Sequence, residues 1–75
     1  MKWVSELSYH GYINAEKITS IMIADADKSF HVLAFVESES YILYAAPFDT
    51  PEERTEAFTA CRLWLDELID TLENA

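Results

Sequence analysis

The chain has 75 residues, fourteen acidic and five basic side chains, and a formal net charge of −9 at pH 7. A chain of this length predicts one domain, over residues 1–75, and a negative field disfavours direct binding to nucleic acid or to anionic membranes. The hydrophobic share of 51% predicts a packed core rather than a disordered chain. The same charge favours a protein partner with a basic surface, although acidity can also serve solubility alone.

No membrane or export segment is expected. The longest apolar runs, 21–24 and 32–36, are far shorter than the roughly 20 residues that cross a bilayer. The first residues lack a basic stretch followed by an apolar one, so no secretory signal is predicted and the cytoplasm is the expected location. The single cysteine, Cys61, excludes an internal disulfide and fits a reducing compartment.

The N-terminal segment predicts a strand over residues 2–9. Trp3, Leu7 and Tyr9 alternate with polar residues there, and this period of two indicates one buried and one exposed side. The one glycine, Gly11, is the natural position for a positive φ in the reversal that follows. Residues 14–17 then fit a tight turn or a single helical turn capped by the asparagine side chain, and we favour the tight turn.

Three further strands are predicted, over residues 17–25, 29–37 and 41–46. The first is rich in β-branched residues and ends at a polar turn. The polar tetrapeptide 37–40 separates the other two, which should therefore form a hairpin. With the N-terminal strand they predict an antiparallel sheet of about four strands.

The clearest local signal is the start of a helix over residues 51–73. Thr50 as N-cap, Pro51 at the first helical position and Glu53 three residues after the cap form a capping box. Apolar residues at helical spacing then define the side that packs on the sheet: Ala57, Phe58, Cys61, Trp64, Leu65, Leu68, Ile69 and Leu72. The predicted fold class is α+β, an antiparallel sheet packed by one C-terminal amphipathic helix.

No segment carries a specific catalytic, metal or nucleotide motif, so neither an enzyme nor a cofactor is predicted. One cysteine and two distant histidines, His10 and His31, do not supply the closely spaced ligands of a zinc site. Cys61 falls on the apolar side of the helix, where a cysteine acts as a small inert hydrophobe. Two carboxylate pairs lie in predicted turns, without the apolar surroundings that raise a pKa toward neutrality: Asp25 with Asp27, and Glu37 with Glu39.

The polar side of the helix predicts an acidic stripe. At about 100° per residue its members lie within roughly 60° of one line: Glu52, Glu56, Leu63, Asp66, Asp70 and Glu73. Like charges at i,i+4 and acids in the last turns are unfavourable for a helix. Arg62, four residues before Asp66, is the one cation placed to reduce this repulsion. Such a stripe favours a partner-binding surface that imitates a phosphate track, with an ordinary solvated face as the alternative.

The strands over 29–37 and 41–46 are apolar on both faces. Val32, Ala34 and Val36 alternate with Leu33 and Phe35, and Ile42 and Tyr44 alternate with Tyr41 and Leu43. One helix covers one face, so the other is bare or covered by a partner, and a homodimer through the sheet is the simplest solution.

Three segments carry a resemblance: Gly11-Tyr12-Ile13-Asn14, Ile18-Thr19-Ser20-Ile21 and Phe48-Asp49-Thr50-Pro51-Glu52-Glu53. On these segments the chain resembles small uncharacterised phage and bacterial proteins built as a strand, an Asn-turn, further strands and a terminal helix. Its size and acidity are also similar to those of phage-encoded inhibitors such as anti-CRISPR proteins, some of which imitate nucleic acid. The resemblance implies an inhibitor whose acidic stripe occupies a basic groove of its target. The alternative is a small homodimeric accessory or regulatory protein that works through its sheet.

Overall fold

A computed structural model describes residues 2–74. The elements in chain order are β1 (Trp3–Ser5), β2 (Tyr12–Asn14), a 3-10 helix (Ala15–Lys17), β3 (Ser20–Ala26), β4 (Ser29–Val36), β5 (Glu39–Pro47) and α1 (Pro51–Asn74). The strands form two antiparallel sheets, β1-β2 and β3-β4-β5. The α+β class with a C-terminal helix is therefore confirmed, whereas two smaller sheets replace the single sheet of about four strands. No helix within residues 2–74 is long and apolar enough to span a membrane.

The N-terminal strand ends at Ser5, and its buried side is the one predicted to be exposed. Trp3, Leu7 and Tyr9 are 58%, 49% and 72% exposed, so the prediction that they form the buried side is wrong. Val4 packs into the core instead, and Glu6, two residues further along, is also buried. Burial still alternates from Trp3 to Leu7, but the buried side is that of Val4 and Glu6, because backbone N–H groups satisfy the Glu6 carboxylate.

The reversal after β1 is built around the carboxylate of Glu6. This carboxylate accepts hydrogen bonds from the backbone N–H groups of Tyr9 at 2.8 Å and Gly11 at 3.3 Å. The positive φ of this turn, 57°, belongs to His10 and not to Gly11 as predicted. Residues 14–17 also differ from the favoured prediction, because the Asn14 side chain accepts from the Glu16 N–H at 3.0 Å and caps a 3-10 turn.

Two tight hairpins build the three-stranded sheet. The turns are the dipeptides 27–28 and 37–38, so the predicted four-residue separator between the last two strands is only two residues long. β3 pairs with β4 in unbroken register from Ser20 opposite Phe35 to Ala26 opposite Ser29. The β4–β5 ladder confirms the predicted hairpin, but its register shifts next to Val32, where Leu43 of β5 has no opposite residue.

The core lies between α1 and one face of this sheet, which we call the inner face. Its buried members are Val4, Phe30, Val32, Ala34, Leu43, Ala46, Ala57 and Cys61. The predicted contacts of Trp64, Leu65, Leu68 and Leu72 are present as half-buried side chains around this cluster. Phe58 and Ile69 were also placed on the packing side, but they lie at its margin and are 43% and 40% exposed.

Cys61 is a core residue, as its position on the helix predicted. It is fully buried, and its thiol donates to the carbonyl oxygen of Phe30 at 3.5 Å. Burial raises the pKa of the Cys61 thiol, because the thiolate would lose its hydration. The group is therefore held in its unreactive protonated form.

Replacement of Thr50 tests the start of α1. The Thr50 hydroxyl accepts a hydrogen bond from the Glu53 N–H at 3.1 Å, and the helix begins at Pro51 as predicted. We expect Thr50→Ala to lower the free energy of unfolding by about 1 kcal/mol, because a helical N–H loses its acceptor. Urea unfolding of both proteins measures the difference. Thr50→Ser should behave like the wild type, and an alanine variant of wild-type stability would contradict the capping role.

Candidate functional site

The six residues of the predicted acidic stripe all lie on the exposed side of α1. We call them the acidic face: Glu52, Glu56, Leu63, Asp66, Asp70 and Glu73. At about 100° per residue this side is diametrically opposite Cys61, which is buried against the sheet. Leu63 is 60% exposed in the middle of the acids. The carboxylates therefore point away from the rest of the domain and are free to meet a partner.

Little positive charge offsets the acidic face. The helix has seven acidic and two basic residues, a net charge of −5. Arg54 reaches to β3 and bonds Asp25 at 2.8 Å, while Arg62 stays on the helix, 3.5 Å from Asp66. The side chains of both pairs are exposed, and such pairs contribute between zero and about 1 kcal/mol. The acidic face therefore keeps most of its negative charge.

One cation that sequence reasoning missed lies at the end of the helix. The Lys2 ammonium donates a hydrogen bond to the carbonyl oxygen of Leu72. A cation at a helix C-terminus is favourable because the last carbonyl groups carry partial negative charge. Lys2 thus offsets part of the unfavourable dipole contact of Asp70 and Glu73. The spacing of 70 residues leaves no local signal that could have predicted this contact.

The second candidate surface is the face of the sheet that α1 does not cover, here called the outer face. Cross-strand neighbours point to the same side of a sheet, so the register assigns its members: Ser20, Met22, Ala24, Ala26, Ser29, His31, Leu33, Phe35, Ser40, Ile42, Ala45 and Pro47. None of these positions carries Asp, Glu, Lys or Arg, although 25% of the chain is charged. None belongs to the core cluster or packs against it.

Tyr44 lies on the inner face rather than beside Ile42 as predicted. The shift of register at Leu43 places both Leu43 and Tyr44 toward the helix. The Tyr44 ring stacks on the Trp64 indole with centroids 5.3 Å apart. The outer face of β5 consequently carries Ala45 where the predicted alternation placed Tyr44.

A serine and a histidine meet on the outer face. The Ser29 hydroxyl lies 2.9 Å from Nε2 of His31. A nucleophilic serine needs a third group that orients the imidazole, usually a carboxylate, and the outer face has no carboxylate. The pair also lies on an open surface rather than in a pocket, so it supports a polar contact within the face and not a hydrolytic centre.

A cleft of about 390 Å³ runs between β3 and the first turns of α1. Its lining is Ile23, Asp25, Phe30, Arg54, Thr55 and Phe58. The two ionisable side chains in it bond each other, and the Arg54 guanidinium also lies 4.8 Å above the centroid of the Phe30 ring. Sequence reasoning missed this cleft, because it depends on the position of β3 relative to α1. Apolar side chains and an internally paired Asp and Arg line the cleft. Such a lining fits the binding of a partner's side chain better than it fits catalysis.

Comparison with known proteins assigns no family. No family model matches the chain, and neither the curated proteins nor the solved structures include a significant match. Within residues 2–74, no three His, Cys, Asp or Glu side chains are placed to hold a metal ion together. The function must therefore be inferred from the surfaces described above.

Proposed function

We propose that the protein is a non-enzymatic, acidic protein-binding module whose acidic face occupies a basic surface of its target. The observation that supports this most directly is the position of Glu52, Glu56, Asp66, Asp70 and Glu73 along one exposed side of α1. The row spans roughly 30 Å of helix. A basic groove that normally holds nucleic acid fits such a row, because the row is negatively charged and elongated.

The charge density of the acidic face is lower than that of nucleic acid. Neighbouring acids of the face are about 4.5 to 6 Å apart along the helix axis, with a gap of about 15 Å between Glu56 and Asp66, whereas one DNA strand carries a phosphate about every 3.4 Å. The module would therefore compete through contacts to protein groups as well as through charge, and Leu63 supplies an apolar contact at the centre of the row. We propose an inhibitor of the kind implied by the resemblance to anti-CRISPR proteins, acting in the cytoplasm.

Replacement of Asp66 and Asp70 by asparagine tests this function. We expect an unfolding free energy equal to that of the wild type or slightly higher, because the relief of like-charge repulsion and of an unfavourable dipole contact offsets the loss of the weak, exposed Arg62–Asp66 pair. Association with the partner captured from the host lysate should slow by about tenfold at low salt, and wild-type affinity should fall as salt rises. Binding kinetics on the purified partner measure both effects.

A control for this experiment removes two charges elsewhere. The double variant Glu16→Gln and Asp27→Asn changes the net charge by the same amount, at exposed positions outside α1. This variant should associate nearly as fast as the wild type. If the two variants bind equally well, and binding survives half-molar salt, the acidic face is an ordinary solvated surface and the proposed function is wrong.

A second candidate is a homodimeric accessory or regulatory protein that works through the sheet. The absence of charged side chains from the outer face favours it, because charged residues are depleted at the centres of protein interfaces. Salt separates the two candidates: an apolar contact responds little to ionic strength, whereas an acidic face depends on it strongly.

A further inference from the structure

The two edges of the three-stranded sheet differ in how far they are covered by other parts of the chain. At the β5 edge, the Leu7 N–H donates to the Ile42 carbonyl oxygen at 2.6 Å, and the Ile42 N–H donates to the Ser8 hydroxyl at 2.9 Å. The same strand is interrupted at Leu43 and ends at Pro47. Coverage, irregular pairing and proline are the usual devices that prevent a sheet edge from pairing with another chain.

The β3 edge has almost none of these devices. Its seven residues, Ser20–Ala26, include no proline, glycine or lysine, and their ladder with β4 is continuous. Within the described part of the chain, β3 is hydrogen-bonded to β4 and to no other strand. Its single charged residue, Asp25, is neutralised by Arg54. A regular edge of this length is a template for a further strand.

Exposed apolar side chains border the β3 edge on both faces of the sheet. Met22 on the outer face is 48% exposed. On the helix side, Phe58 and Ile69 are separated by eleven residues, about three turns, so they share one flank of α1. Phe58 lines the cleft together with Ile23, which places this flank on the β3 side of the helix. A strand added at β3 would pack beside Met22 and would lie next to this apolar flank of α1.

We propose that the β3 edge pairs antiparallel with β3 of a second copy of this chain, forming a continuous six-stranded sheet. A two-fold axis perpendicular to the sheet relates the copies, so both helices lie on the same side. Because α1 packs mainly on β4 and β5, the helices stay apart and leave a groove above the paired strands. In this arrangement the side chains of residues 20–26 of one copy lie next to those of residues 20–26 of the other copy.

Symmetry favours a second copy as the occupant of the edge. A second copy brings the same regular seven-residue strand, and a two-fold axis lets the unpaired N–H and C=O groups of both strands bond each other. Two molecules of net charge −9 repel each other at long range, so they can pair only where no unpaired acid lies at the contact. The β3 strand meets this condition, because its one charged residue, Asp25, is paired with Arg54. The acidic face points away from the sheet and remains free, so edge pairing is compatible with the proposed function, whereas a dimer through the outer face is the competing arrangement that the test must separate.

Hydrogen exchange combined with sedimentation tests the pairing. Sedimentation equilibrium of the wild type should show a monomer–dimer equilibrium. Amide exchange followed by NMR should show protection of residues 20–26 that increases with protein concentration, because the outward N–H groups of β3 gain acceptors. A monomer up to about millimolar concentration, or a dimer without added protection in β3, would overturn the proposal.

Two variants separate edge pairing from contact through the outer face. Met22→Lys introduces a charge at an exposed edge position and should raise the dimer dissociation constant at least about tenfold, because the two lysines then lie close to each other on one face of the seam. This change lowers the net negative charge, so a change in long-range repulsion cannot explain the loss. Leu33→Lys places the same charge on the outer face of the middle strand, opposite Met22, and should leave the dissociation constant within about twofold. An equal or larger loss in Leu33→Lys, or wild-type dimerisation of Met22→Lys, would refute edge pairing.

Discussion

Leu43→Ala should lower the free energy of unfolding by about 2 to 5 kcal/mol. Leu43 is 3% exposed and belongs to the core cluster, at the point where β5 has one residue more than β4. Truncation removes apolar contacts and leaves a cavity that the irregular backbone cannot close easily. A chain of this size has a total stability of roughly 4 to 11 kcal/mol, so the variant should be largely unfolded in mild denaturant.

Leu63→Ala is the matched control for this prediction. It makes the same chemical change on the acidic face, where the side chain is 60% exposed. Its free energy of unfolding should stay within about 0.5 kcal/mol of the wild type. Urea titrations followed by tryptophan fluorescence compare the two variants. Equal losses, or a loss at Leu63 alone, would mean that the helix has been assigned the wrong buried side.

The helix could be predicted from the sequence because its signals are local. The Thr50 cap, Pro51 and the apolar period all act within a few residues, and the structure places α1 within a residue of the predicted limits. The acidic face could be predicted for the same reason, since the helical period alone decides which side chains share a side. Phe58 packs on the sheet as predicted, edge-to-face against Phe30, but it is 43% exposed, and Ile69 is 40% exposed, because exposure at these positions depends on where the sheet ends beneath the helix.

The division of the strands into two sheets could not be predicted, because it depends on contacts between distant residues. A period of two shows that a segment is half-buried. It does not show which side is buried when a polar residue such as Glu6 finds hydrogen-bond donors in the interior. The shift of register at Leu43 reverses the alternation of β5, and nothing in the local sequence marks it. The open β3 edge follows from this division into two sheets, so it also could not be predicted from the sequence.

Glu6→Ala should lower the free energy of unfolding by about 2 to 3 kcal/mol, although it removes a negative charge from an acidic protein. Glu6 is 4% exposed, and its carboxylate accepts hydrogen bonds from the backbone N–H groups of Tyr9 and Gly11. Those donors would lose their acceptor in a turn that also aligns Leu7 and Ser8 with β5. Chemical unfolding measures the loss, and exchange of the Tyr9 and Gly11 amides should accelerate.

Glu16→Ala distinguishes this specific role from the effect of charge. It removes the same charge from an exposed position and should change stability by less than about 0.5 kcal/mol. Glu6→Gln keeps one acceptor oxygen in the same place and should fall between the alanine variant and the wild type. If Glu6→Ala were as stable as Glu16→Ala, the Glu6 carboxylate would not organise the turn. The covering of the β5 edge by residues 7 and 8 would then need another cause.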